Sequence, residues 1–125
     1  MEAGETVSNA RLKLLPLLLA VPLLITGCQS PYVYHWGRYE SLVYVTYAKP
    51  GKVPPEAQVQ KMEEDLQKAA AANKPVPPGF HAYLGYLDYQ LGKPGLARQE
   101  FEKEKAQFPE STVFMDRMLA SLAKK

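Results

Sequence analysis

Few residues in this chain could do chemistry. Its 125 residues include one cysteine and two histidines, and 15 Lys+Arg against 13 Asp+Glu leave a formal net charge of +2. His35 and His81 stand far apart, and neither has a second ligand type at i+4, the spacing that puts two donors on one helix face. Zinc therefore has no support. A single cysteine excludes an intrachain disulfide and any multi-cysteine metal site. There is no Gly-x-Ser-x-Gly elbow, phosphate-cradling glycine loop or Glu-x-x-His pair. The acids Glu63 and Glu64, and Glu100, Glu102 and Glu104 with their lysine neighbours, are expected on solvated helix faces. Asp88 falls on a helix expected to be buried, where an acid needs a nearby base or hydroxyl. These patterns predict no enzyme, no metal and no cofactor. The even charge balance also argues against a nucleic-acid-binding module.

The cysteine has a more specific setting. Residues 14–25 form a run broken only by Pro16 and Pro22, and Arg11 and Lys13 precede it. Twelve residues at about 1.5 Å each reach roughly 18 Å, short of the ~30 Å hydrocarbon core of a bilayer. A secretory signal fits better than a spanning helix. Ile25-Thr26-Gly27-Cys28 closes the run and resembles the lipobox of bacterial lipoproteins. The resemblance implies a diacylglyceryl group on the Cys28 thiol, cleavage between Gly27 and Cys28, and acylation of the new amine. Several acyl chains on one residue make attachment effectively permanent, since each buried methylene contributes about 0.8 kcal/mol. Gln29 follows the cysteine. By the sorting rule of enteric-type lipoproteins, that residue points to the outer membrane, facing the periplasm. Glu2 and Glu5 do not suit a basic leader, and a start at Val7 would remove them.

The expected organisation is a signal peptide over 1–27, a lipidated N-terminus and tether over 28–38, and a helical domain over 39–125. Removing 1–27 takes away two bases and two acids, so the charge stays +2. In the tether, Tyr32, Tyr34 and Trp36 alternate as in an extended segment with one apolar face. That face either covers an edge of the domain, or serves as a partner strip or a set of interfacial anchors. Tyr39–Ala48, rich in aromatic and β-branched residues, is open between helix and strand. Pro54-Pro55-Glu56 starts a helix with Val59, Met62, Leu66, Ala69 and Ala70 inward, and Lys61, Glu63, Glu64, Asp65 and Lys68 mostly toward water. On the helix beginning at Phe80, Phe80, Leu84, Leu87 and Leu91 form one stripe. Ala82, Tyr86 and Tyr89 lie nearly opposite, so both sides should be covered. A further helix runs from Leu96 to Phe108. Ser111 is the expected N-cap of the last helix, whose apolar face is Phe114, Met115, Met118, Leu119 and Leu122.

Leu84-Gly85, Gly92, Ala97, Phe101 and Pro109 together resemble one tetratricopeptide unit. His81, Asp88 and Glu104 depart from that pattern, standing where a large apolar residue, a tyrosine and an alanine are usual. Residues 39–75 resemble a second, degenerate unit. The predicted fold is therefore all-α: a short tetratricopeptide-like array of two helical hairpins plus a C-terminal capping helix. By that resemblance the binding groove would be lined by Ala82, Tyr86, Tyr89 and Gln90; the alternation in the tether separately offers Tyr34 and Trp36 as partner-binding residues.

Nearly all of residues 28–125 is similar to a family of small proteobacterial lipoproteins of uncharacterised function. The similarity rests on Tyr34-His35-Trp36-Gly37-Arg38-Tyr39-Glu40, Val76-Pro77-Pro78-Gly79, Tyr83-Leu84-Gly85-Tyr86, and Glu102-Lys103-Glu104-Lys105 followed by Phe108-Pro109-Glu110-Ser111 and Phe114-Met115-Asp116-Arg117. Members are typically encoded beside a lipoprotein like the curli-secretion channel and another small lipoprotein. The resemblance implies a three-part envelope assembly and says nothing of this member's job; the leading expectation is a non-catalytic binding and assembly subunit whose partners are envelope proteins, above all the channel-like lipoprotein. The alternative by fold analogy is a pilotin or a cell-wall-synthase activator.

Overall fold

The structure, a computed structural model, describes residues 32–124. Gly27 and Cys28, which carry the expected cleavage site and lipid, lie outside the described residues. Among the described residues are five α-helices: α1 (Tyr39–Ala48), α2 (Pro55–Ala71), α3 (Phe80–Gln90), α4 (Pro94–Gln107) and α5 (Thr112–Leu122). A 3-10 turn, Pro109–Ser111, precedes α5. The fold is all-α, with the helices packed as hairpins.

The open choice at residues 39–48 resolves to helix. Tyr39, Leu42, Val43 and Thr46 recur at i, i+3, i+4 and i+7 and turn inward, while Glu40, Ser41, Tyr44 and Tyr47 are exposed. An inward stripe of helical period overrides the β preference of the individual residues. Helix α2 begins at a proline, whose fixed φ and missing N–H suit the first helical position. Its inner face is Val59, Met62 and Ala69, together with Gln58 and Asp65. Asp65 was expected to face water. It is only 2% exposed, because it lies on the same inner stripe as Met62 and Ala69 and has a cation to meet there.

Helix α3 is covered on both sides, as its two opposed stripes require. Phe80, Leu84 and Leu87 join Leu42, Val59, Met62 and Ala69 in one cluster, with Tyr83 and Val76. Ala82 and Tyr89 pack against a second cluster of Ala97, Phe101 and Met115. Helices α3 and α4 approach closely at Gly85. A Cβ there would lie 2.7 Å from the Phe101 ring and 3.1 Å from the Ala97 carbonyl oxygen, so a glycine is required. The preceding linker ends at Gly79, whose φ of +88° is open to glycine.

Two expectations fail in the last helix. Ser111 does not cap α5: its Oγ donates to the Phe108 carbonyl (2.7 Å) within the 3-10 turn. Phe114 is 58% exposed. The inward stripe of α5 is Met115, Met118, Leu119 and Leu122, and Phe114 sits about 40° beyond Met118, just outside the edge of that stripe.

Candidate functional site

The first helices of the hairpins and the last helix together enclose an apolar groove of about 500 Å³. Tyr39, Val43 and Tyr47 come from α1, Ala82, Tyr83 and Tyr86 from α3, and Phe114, Met115 and Met118 from α5. Phe101 of α4 closes the floor. Tyr47, 74% exposed, and Phe114 are the parts of this lining most open to solvent. The tyrosines give the wall apolar rings that can also donate or accept hydrogen bonds.

One side of the groove belongs to a longer file of aromatic rings. Phe108 contacts Tyr34 (centroids 6.3 Å apart), Tyr34 meets Trp36 edge-on (6.5 Å), and Trp36 stacks on Tyr39 (6.5 Å). Tyr39 then contacts Tyr83 (6.1 Å) and Tyr83 contacts Tyr86 (6.3 Å). The tether thus packs on the domain through Tyr34 and one face of Trp36. Of the residues anticipated from sequence, Ala82 and Tyr86 line the groove. Tyr89 turns toward the α4–α5 cluster instead. Gln90 is exposed and its Nε2 donates to the Tyr86 hydroxyl (2.7 Å). Tyr47, Phe114 and Met118 were missing from the anticipated lining. They lie on other helices, which only the tertiary fold brings to α3.

Buried polar groups hold the groove helices in place. The Tyr83 hydroxyl donates to Gln58 Oε1 (2.7 Å) and lies 2.6 Å from Thr46 Oγ1, so α1, α2 and α3 meet at one hydrogen-bonded point. Burial raises the Tyr83 pKa despite the Thr46 contact, so the hydroxyl stays a neutral donor. At the start of α1, Arg38 is clamped to α2. Its backbone N–H donates to Asp65 Oδ2 (2.7 Å), and its Nη2 donates to Asp65 Oδ1 (2.9 Å), Glu64 Oε2 (2.9 Å) and the Lys61 carbonyl (2.6 Å). Burial pushes the Asp65 carboxyl up, but the Arg38 hydrogen bonds outweigh it and hold its pKa below the ordinary value.

The three departures from the tetratricopeptide pattern, His81, Asp88 and Glu104, are all buried, on α3 and α4. Glu100 and Glu104 were expected in solvent and both are buried, since each has a partner on α3. Glu104 Oε1 accepts from the Gly79 N–H (2.6 Å) and Oε2 from the Ala82 N–H (3.2 Å), so it caps the start of α3 from the neighbouring helix. Glu100 lies 2.6 Å from His81 Nδ1 and accepts from Lys103 Nζ (2.6 Å). Burial raises the Glu100 carboxyl, but these two contacts prevail and lower its pKa. Asp88 is the exception. It is buried as expected, yet its Oδ1 has no partner, and burial raises its pKa. A raised folded pKa contributes stability below the ordinary carboxylate range and loses it as pH rises through the folded value. Asp88→Asn is therefore expected to stabilise the protein by about 1 kcal/mol at pH 7 and by almost nothing at pH 3. Urea unfolding of both proteins at the two pH values checks this, and a loss at pH 7 contradicts it.

Among the described residues, no cluster of three or more His, Cys, Asp or Glu could hold a metal ion, and no helix is long and apolar enough to cross a membrane. Comparison of the chain with curated proteins and with solved structures gives no match. One protein family does match, described as Domain of unknown function (DUF4810) and spanning residues 33–118, from the exposed Val33 to Met118 in the groove wall. The Arg38 clamp and the groove lining fall inside that span, and the chain belongs to this family.

Proposed function

We propose that this protein is a lipid-anchored, non-catalytic assembly subunit of an outer-membrane complex. Its groove receives an apolar segment of an envelope partner, a channel-forming lipoprotein of the curli-secretion type. The observation that carries this reading is the groove itself, built by α1, α3 and α5. With α1–α2 and α3–α4 as two tetratricopeptide-like units and α5 as the cap, those are the helices that line the concave binding face of such arrays. The lining is apolar with tyrosine hydroxyls, a composition suited to a protein segment. Lipid on Cys28 would keep the groove close to partners in the same membrane.

The test is co-purification of the channel-like lipoprotein with the full chain from solubilised envelopes. Tyr47→Lys with Phe114→Lys is expected to weaken capture at least about tenfold, because two exposed groove residues become charged. Both side chains project to solvent, so an unchanged circular dichroism spectrum separates binding from folding. Unaltered capture by the double variant overturns the groove as the binding face. Capture of a secretin or of a cell-wall synthase in place of the channel favours the pilotin or activator role.

A further inference from the structure

The start of the described chain carries a second apolar surface, separate in composition from the groove. Tyr32 is 66% exposed, Val33 71% and Trp36 38%. The backbone beneath them is fixed. Lys74 Nζ donates to the Tyr32 carbonyl (3.1 Å), and the His35 N–H donates to the Pro75 carbonyl (2.8 Å). Trp36 is held between Tyr34 and Tyr39, with one part of the indole left uncovered. Three exposed apolar side chains thus stand on a backbone tied down at residues 32 and 35, with the Lys74 ammonium bonded to its first residue.

Tryptophan and tyrosine suit the boundary between lipid headgroups and acyl chains, where one end of the ring is wet and the other apolar. A lysine beside them suits anionic headgroups. The distance to the membrane is also bounded. Cys28 precedes Tyr32 by four residues, which extend to at most about 14 Å. With lipid on Cys28, the patch cannot leave the neighbourhood of the headgroup layer.

We propose that Tyr32, Val33 and Trp36 dock on a phospholipid surface and fix the orientation of the domain on the membrane that holds it. This rests on the lipid-anchor reading of Cys28. Because Trp36 contacts Tyr39 and Tyr39 lines the groove, such docking places that wall of the groove at a set height above the bilayer.

The chain has one tryptophan, so Trp36 reports its own depth. The full lipidated chain is reconstituted into phosphatidylethanolamine–phosphatidylglycerol vesicles, with and without bromine on the upper acyl carbons. Bromolipid is expected to quench Trp36 emission at least about twofold, and Tyr32→Ser with Val33→Ser to remove most of that quenching. If the chain floats with the vesicles and its emission is the same in brominated and plain lipid, the docking proposal is overturned while the anchor stands. A patch that serves a protein partner gives this result. If the chain does not float with the vesicles, the anchor reading fails and the proposal falls with it.

Discussion

Replacing Asp65 by alanine is expected to lower the unfolding free energy by about 3 kcal/mol, measured by urea denaturation at pH 7. The carboxylate is only 2% exposed and accepts the Arg38 backbone N–H and its guanidinium. Removing one member of a buried ion pair typically costs about 3–5 kcal/mol, because the other is left uncompensated. The Arg38 side chain is 34% exposed, and Glu64 still faces it, so the lower end of that range applies. The pH profile adds a second readout. The folded Asp65 and Glu100 carboxyls both lie below their ordinary values. Their contributions are fully present above about pH 4 and are lost as pH falls through the folded pKa values. Asp65→Ala should therefore differ most from the parent at neutral pH, and the two should converge in acid. A loss below about 1 kcal/mol at pH 7 would show the clamp to be an ordinary surface pair.

The second large effect is a reversal of what a repeat pattern would advise. Glu104 stands where a tetratricopeptide unit usually has alanine, and Glu104→Ala would restore that residue. It is expected to destabilise the protein by about 2–3 kcal/mol. The carboxylate accepts two N–H groups at the start of α3, on Gly79 and Ala82, and both lose this acceptor once the side chain is gone. It also places negative charge at the positive end of the helix. Alanine leaves a buried void and unsatisfied donors. Glu104→Gln keeps the volume and one acceptor, and should recover about half of the loss. If Glu104→Ala is neutral or stabilising by thermal and urea unfolding, the cap does not matter to the fold.

Much of the architecture was legible in the sequence because its signals are local. Pro55 opens α2, Lys49-Pro50-Gly51 and Gly92-Lys93-Pro94 separate helices, and Leu84, Gly85, Ala97 and Phe101 announce a close hairpin that the structure contains. Residues 39–48 were ambiguous because each residue favours strand, while only their spacing favours helix. The charged residues were the systematic failure. Periodicity places Asp65, Glu100 and Glu104 outside, since an acid at a helix position is usually solvated. Their burial depends on partners distant in sequence. Asp65 meets Arg38, 27 positions away, and Glu104 meets Gly79, 25 away. The same departures at His81 and Glu104 that blurred the repeat pattern were the available signal, because a polar residue at an interface position needs a partner. The groove was half legible: Ala82 and Tyr86 share a face of one helix, but Tyr47 and Phe114 join them only through packing.

The fixed tether has a mechanical consequence. A pull applied at Tyr32 does not act on α1 directly. It first meets the bonds from residues 32 and 35 to residues 74 and 75, then the Arg38 cluster on α2. Load is passed into α2 and the segment that follows it through several bonds before it reaches α1. The helix with the most exposed aromatic rings, and the groove wall it forms, is thereby insulated from tension along the chain.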